Sequence, residues 1–153
     1  MNYQGSRTAL NLDRQQRIRA TYHVDNGKIR MQQFNKAMII EGYTSDEVTL
    51  ADIDWILESL RICYAPPFLV ILVKSGDYSL TADAKMRLMD EGNGIAKVAY
   101  VSRKQHNTRS AIKASKTYLK NKEVFVCDSI ESAYRALTDN IYREPGMPQP
   151  GVL

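Results

Sequence analysis

Short apolar, β-rich segments alternate with amphipathic helical patterns along the second half of this chain. The apolar segments cover residues 68–73, 96–101 and 124–127, and helical periodicity covers 81–91, 105–120 and 130–141. A helix that carries the chain back to the starting edge of a sheet makes the next strand parallel to the previous one. The alternation therefore predicts an α/β fold with a mostly parallel sheet.

The segment at 68–73 is apolar at every position, which is typical of a strand covered on both faces. We expect 68–73 and 96–101 to be adjacent, parallel and buried. We place 124–127 parallel on one side of this pair and an N-terminal β-hairpin on the other.

The hairpin is predicted from alternation on both sides of a turn. The alternating apolar residues are Ile18, Ala20, Tyr22, Val24, Ile29 and Met31. Between them lies Asp25-Asn26-Gly27, and an Asn-Gly pair tolerates the positive φ of a tight turn. The apolar run at 37–40 either extends the second strand or forms a third, and 42–48 is expected to be a loop.

A capping box predicts where the first helix begins. Thr49 is the expected N-cap, and Asp52 stands at the third helical position as an acidic variant of the usual Glu. The apolar stripe that follows consists of Leu50, Ile53, Leu57, Leu60 and Tyr64, widened by Ile56 and Cys63. Pro66 and Pro67 end the helical pattern.

The length of 153 residues suits one domain, which we place at 15–143. A polar arm at 1–14 precedes it and a Pro-rich tail at 144–153 follows it. The chain shows neither the apolar run of a signal peptide nor the roughly 18 apolar residues of a membrane span. We therefore expect a cytoplasmic protein with two free thiols, Cys63 and Cys127.

The net charge of +4 is concentrated in one region, since residues 92–122 hold eight basic side chains and no acidic one. On the predicted helix at 105–120, the apolar face consists of Ala111, Ile112, Ser115, Tyr118 and Leu119. A basic face of Arg109, Lys113, Lys116 and Lys120 lies nearly opposite. This face is either simply solvated or a docking site for an acidic protein or another anionic surface. The absence of a helix-turn-helix pattern argues against sequence-specific binding of nucleic acid.

A hairpin followed by βα units resembles the STAS and SpoIIAA-like domains, the sulfate transporter and anti-sigma factor antagonist family. The resemblance covers about residues 17–141. It is carried by Asp25-Asn26-Gly27, by Thr49-Leu50-Ala51-Asp52, by the strands at 68–73 and 96–101, and by Val-Phe-Val-Cys-Asp-Ser-Ile-Glu-Ser-Ala at 124–133. The chain is most similar to the uncharacterised SpoIIAA-like branch of bacteria.

The resemblance implies a mixed, mostly parallel sheet of four or five strands with four helices. It also implies a non-enzymatic regulatory module that acts by protein–protein interaction in bacterial signalling, without a cofactor. The anti-sigma antagonists carry a phosphorylated Ser or Thr in an Asp-Ser-Ser-Gly type motif. Here Thr81 falls at that place but the Ser-Gly pair is missing, so Thr81 is also interpreted as an ordinary N-cap.

A rival hypothesis is a small-ligand or anion-binding domain, or an enzyme, that uses the crevice at the carboxyl ends of the parallel strands. The loops at 75–79 and 102–106 are expected to meet there. An anion-binding edge would then consist of Ser79, Thr81, Arg103 and His106, with help from helix N-termini.

Catalytic and metal motifs are weak in this chain. The histidines His23 and His106 lack ligand partners at metal-binding spacing. Ser75, Asp77 and His106 can be written as a hydrolase triad, but no Gly-x-Ser-x-Gly elbow occurs. We therefore expect no metal and no enzymatic activity.

One apolar strip lies away from the core stripe of the first helix. It consists of Ala51, Trp55 and Ile62. Such a strip suggests a homodimer contact, because a two-fold interface needs only one self-complementary patch. Alternatively, residues 1–14 or the hairpin cover Trp55 within one chain.

Overall fold

A six-stranded mixed sheet organises the chain. The computed structural model describes residues 22–101 and 105–139, and of residues 105–108 it describes the backbone alone. In chain order the strands are β1 (His23–Asp25), β2 (Ile29–Gln33), β3 (Met38–Gly42), β4 (Glu47–Val48), β5 (Phe68–Lys74), β6 (Ser79–Leu80), β7 (Ile95–Val101) and β8 (Glu123–Cys127). The main sheet has the order β1-β2-β3-β5-β7-β8, and β4 pairs with β6 in a separate parallel pair.

The pairing directions confirm the predicted arrangement. Strand β2 is antiparallel to both β1 and β3, whereas β3, β5, β7 and β8 run parallel. Strands β5 and β7 are adjacent at the centre, with β8 on one side and the hairpin strands on the other. The sheet has six strands rather than the predicted four or five, because residues 38–42 form a strand of their own.

Two turns separate the first three strands. Gly27 has a φ of +89°, and the Asn26 side chain accepts hydrogen bonds from the N–H groups of Lys28 and Ile29, both at 2.9 Å. At the second turn, the N–H of Phe34 donates to the carbonyl of Ala37 at 3.1 Å. The hydroxyl of Tyr64 lies 2.7 Å from the Phe34 carbonyl and 2.8 Å from that of Ala37, which ties this turn to the first helix.

The described residues form four α-helices, as predicted. They are α1 (Leu50–Cys63), α2 (Ala82–Met89), α3 (Gln105–Lys116) and α4 (Ile130–Asp139). Thr49 and Asp52 form the predicted capping box at the start of α1. Thr81 is the N-cap of α2, since its side chain accepts the N–H of Ala84 at 3.4 Å.

Hydrophobic side chains pack on both faces of the sheet. On one face, Leu57 of α1, Ala84 of α2 and Ala111 of α3 belong to a single buried cluster. On the other face, Leu137 of α4 packs in a second cluster. Strand β5 contributes to both clusters, which confirms that it is covered on both faces.

Three segments differ from the sequence-based expectation. The expected loop at 42–48 contains β4, and its Val48 carbonyl accepts the N–H of Thr81 at 3.1 Å. Helix α2 ends at Met89, and a 3₁₀ turn, Glu91–Asn93, follows it.

The third difference is the end of α3, which stops at Lys116 rather than at residue 120. The N–H groups of Thr117 and Leu119 both donate to the carbonyl of Ala114, so the chain tightens there. Inside the helix, Ala114 is buried, whereas Ile112, which was predicted to face the core, is 47% exposed.

The predicted arm at 1–14 and tail at 144–153 lie outside the described residues. Within the described residues, no helix has both the length and the apolar character needed to cross a membrane.

Candidate functional site

An apolar cavity of about 80 Å³ lies between one face of the sheet and the helices that cover it. Its floor includes Val70 of β5 and Val98 of β7, which are register partners in the parallel sheet. Helix α1 contributes Ile56, helix α2 contributes Leu88, and the segment after α3 contributes Leu119.

The cavity reaches the carboxyl ends of the parallel strands. Gly42 is the last residue of β3, Tyr100 is the penultimate residue of β7, and both line the cavity. A Cβ atom at Gly42 would lie 2.5 Å from Cε2 of Tyr78, so glycine is needed for the tyrosine ring to lie against the end of this strand. The crevice expected from the α/β topology is therefore occupied in part by an aromatic ring.

Three tyrosines supply the polar groups of the described cavity wall: Tyr78, Tyr100 and Tyr118. Tyr100 is buried, and its side chain interacts with that of Tyr118. Burial is the largest cause that raises the pKa of each of the three phenols above its ordinary value. All three hydroxyls are therefore uncharged at neutral pH and act as hydrogen-bond donors and acceptors.

A second, more polar cleft of about 230 Å³ lies outside this cavity. Four exposed lysines line it, one from α2 and three from α3 and the turn that follows: Lys85, Lys113, Lys116 and Lys120. We call this group the lysine cleft. Its remaining described lining residues are Met89, Thr117 and Tyr118, and none of them is acidic.

The lysine cleft contains three of the four residues of the predicted basic face, and all four are exposed. Arg109 lies outside the cleft lining. Lys85 was missed by sequence reasoning because it belongs to another helix. Only the packing of α2 against the end of α3 brings it close, and no local sequence signal reports that packing.

The predicted anion-binding edge falls only partly within the described residues. Arg103 and the side chain of His106 lie outside them. Ser79 is exposed in β6, and the Thr81 hydroxyl donates to Asp83 at 2.6 Å. The N-cap interpretation of Thr81 is confirmed, and an anion-binding role for this edge stays a prediction.

The predicted self-association strip is divided between surface and core. Ala51 is exposed and Ile62 is 65% exposed, whereas Trp55 is half-buried against the cluster under α1. Self-association through this strip stays a prediction, with Ile62 as its most accessible residue.

Within the described residues, no three His, Cys, Asp or Glu side chains are grouped to hold a metal ion. Ser75 donates to Glu41 at 2.6 Å. Cys63 and Cys127 are free thiols, and burial raises the pKa of both.

No protein-family model and no curated protein matches the chain. A solved structure, that of an uncharacterized protein of the DUF3478 family from Shewanella loihica PV-4 with a SpoIIAA-like fold, is similar at a TM-score of 0.48 and 14% identity. The similarity covers 77% of this chain and 97% of that one.

The predicted mixed, mostly parallel architecture is confirmed by this chain's own topology. A hairpin precedes βα units, and the parallel strands β3, β5, β7 and β8 lie in the expected order.

Proposed function

We propose that this domain is a binding module that holds a small apolar ligand in the cavity between the sheet and helices α1 and α2. The observation that carries the proposal is an apolar cavity of about 80 Å³ that extends to the carboxyl ends of the parallel strands. Open α/β sheets place their ligands at that edge. Ligand sites are typically apolar concavities with a few polar groups, which here are the tyrosine hydroxyls.

The size of the cavity limits the ligand. An empty apolar cavity of roughly 150 Å³ is known to bind benzene. The present cavity is about half as large, so it suits a short alkyl chain or a small branched group. A longer chain, such as a hexyl group, would extend part of its length out of the cavity.

The proposal does not include a chemical step. The described lining residues carry no carboxylate, imidazole, thiol or amine, and their only polar side chains are Tyr78, Tyr100 and Tyr118. With their pKa values raised, these phenols are poor bases and poor proton donors near neutral pH. A binding role fits this chemistry better than catalysis.

Titration with 1-hexanol, followed by amide NMR, tests the proposal. We expect saturable shifts at residues 70, 88 and 98, which surround the cavity. Val98→Phe should abolish them by filling the space. Val101→Phe is the matched control, because Val101 is on the same strand but packs in the cluster on the opposite face. Shifts that persist in the Val98→Phe variant would contradict the proposal.

A second candidate function is the docking of an acidic protein in a bacterial regulatory context. The observation that favours it is the exposed basic face, Arg109, Lys113, Lys116 and Lys120, none of which forms an ion pair with another described residue. Polyglutamate should then bind in low salt and lose affinity in Lys113→Glu. Equal affinity in both proteins would count against this candidate.

A further inference from the structure

We propose that the ligand is an amphipathic anion, with its apolar part in the cavity and its anionic oxygens at the lysine cleft. The inference rests on the proposed binding function and specifies the chemical class of the ligand. The shared chemistry is a short hydrocarbon group that carries a carboxylate or a phosphate.

The apolar cavity and the lysine cleft share a wall. Tyr118 lines both of them. At two places next to this wall, one residue lines the cavity and the residue that follows it in the chain lines the cleft. Leu119 lines the cavity whereas Lys120 lines the cleft, and on α2 Leu88 lines the cavity whereas Met89 lines the cleft. A ligand that leaves the cavity past Tyr118 therefore enters the lysine cleft.

The lysine cleft carries an unbalanced positive charge. Four cations surround it, and the described lining has no acidic residue to balance them: Lys85, Lys113, Lys116 and Lys120. Like charges gathered in a concave surface raise the local positive potential and attract an anion. An anionic group at the mouth of the cavity would relieve this repulsion, whereas a neutral ligand would not.

A polar group lies at the boundary between the cavity and the lysine cleft. The Tyr118 hydroxyl interacts with that of Tyr100. A phenol hydroxyl can donate one hydrogen bond as well as accept others. Tyr118 can therefore donate to a carboxylate or phosphate oxygen where the apolar wall ends and the lysines begin.

An acidic macromolecule would use the same lysines but would leave the cavity unused. The four lysines alone would suit either kind of partner. The apolar cavity beside them favours a small ligand, because an acidic peptide or a nucleic acid has no hydrocarbon group that needs such a cavity. This difference decides the design of the test.

The test compares 1-hexanol, hexanoate and hexyl phosphate by isothermal titration calorimetry at low ionic strength. We expect both anions to bind at least about tenfold more tightly than the alcohol, with the advantage reduced by added salt. Lys85→Gln combined with Lys116→Gln should remove most of this advantage and leave the affinity for 1-hexanol unchanged. Val98→Phe should abolish binding of all three.

A matched control removes the same charge elsewhere. Arg61→Gln combined with Arg135→Gln changes exposed residues of α1 and α4 outside the cleft lining. This variant should keep the tenfold advantage.

If the anions bind no more tightly than 1-hexanol, the inference is wrong while the proposed function stands. If none of the three binds, the proposed function itself fails. If hexanoate binds equally well in the Val98→Phe variant, the lysines act without the cavity and the inference is overturned.

Discussion

The Tyr100 side chain interacts with that of Tyr118 and so links the carboxyl end of strand β7 to the segment that follows helix α3. Tyr100 is buried and Tyr118 is half-buried, and both line the apolar cavity. The pair holds a polar contact at the boundary between the cavity and the lysine cleft. This contact connects the stability of the fold to the chemistry of the site.

Tyr118→Phe should lower both stability and anion affinity. Phenylalanine leaves the buried Tyr100 hydroxyl without this polar neighbour, which costs about 1–3 kcal/mol of unfolding free energy. Urea denaturation measures that loss. Hexanoate should bind several-fold more weakly, whereas 1-hexanol should change little. An unchanged hexanoate affinity would show that the hydroxyl does not contact the ligand.

Asp52→Asn should destabilise the junction between the hairpin and helix α1. The Asp52 carboxylate accepts hydrogen bonds from Lys28 at 2.7 Å, from the N–H of Thr49 at 2.9 Å and from Asn26 at 3.1 Å. An amide cannot accept at both positions, and it removes the charge that pairs with Lys28. We expect a loss of about 1–3 kcal/mol in chemical denaturation. Asp77→Asn, at an exposed carboxylate, is the control and should change stability little.

The same carboxylate predicts a pH dependence. Burial by itself raises the pKa of Asp52, but the hydrogen bonds from Lys28 and Thr49 outweigh it, so the net pKa is lowered from 3.8. A lowered pKa in the folded state means that the unfolded chain takes up protons first as the pH falls. The stabilisation should therefore be complete above about pH 5 and should be lost as the pH falls through the folded-state pKa. In Asp52→Asn, the free energy of unfolding should therefore depend less on pH in the acidic range. An equally steep dependence in the variant would assign it to other groups.

Asn93→Ala should lower the stability of the fold more than most substitutions of polar residues. Asn93 is 5% exposed, and its side-chain amide donates to the carbonyls of Arg87 and Leu88, both at 3.1 Å. Its oxygen accepts the N–H of Ile95 at 2.9 Å. Alanine leaves these buried groups without their partners, so thermal or urea unfolding should show a loss of about 2–4 kcal/mol.

A nearby asparagine provides the control for this prediction. Asn121 is exposed, and its amide lies 3.4 Å from the Met89 carbonyl. Asn121→Ala should cost less than about 0.5 kcal/mol. Equal losses in the two variants would mean that burial of Asn93 does not matter.

Ile62→Glu tests self-association through helix α1. Ile62 is 65% exposed, so a charge there should not disturb the monomer. Trp55→Glu would be ambiguous, because Trp55 packs against the core cluster. If the strip forms a dimer contact, light scattering should show a dimer for the wild type and a monomer for Ile62→Glu. A wild type that stays monomeric at high concentration would rule this contact out.

Local signals in the sequence were sufficient for most of the fold. The Asn26-Gly27 turn, the capping box at Thr49 and the fully apolar segment at 68–73 each depend on neighbouring residues, and each is present as predicted. The end of α3 was not predictable in this way. Tyr118 and Leu119 continue the helical apolar spacing, although the backbone has already tightened at Ala114.

The site depends on contacts that are distant along the chain. The cavity exists because Leu88, Val98 and Tyr118 meet around a space that none of them fills. Lys85 joins Lys116 only through the packing of two helices. Periodicity assigns a residue to a face but does not measure the volume left between faces, so neither feature was visible in the sequence.

Crystals pressurised with xenon offer the most direct measurement of whether this domain has an accessible apolar site. Xenon binds apolar cavities that water leaves empty. We expect a xenon atom in van der Waals contact with Leu88, Val98 and Tyr100, and no xenon at that position in the Val98→Phe variant. A cavity that excludes xenon, or one filled by a chain of ordered waters, would contradict the proposed ligand-binding function.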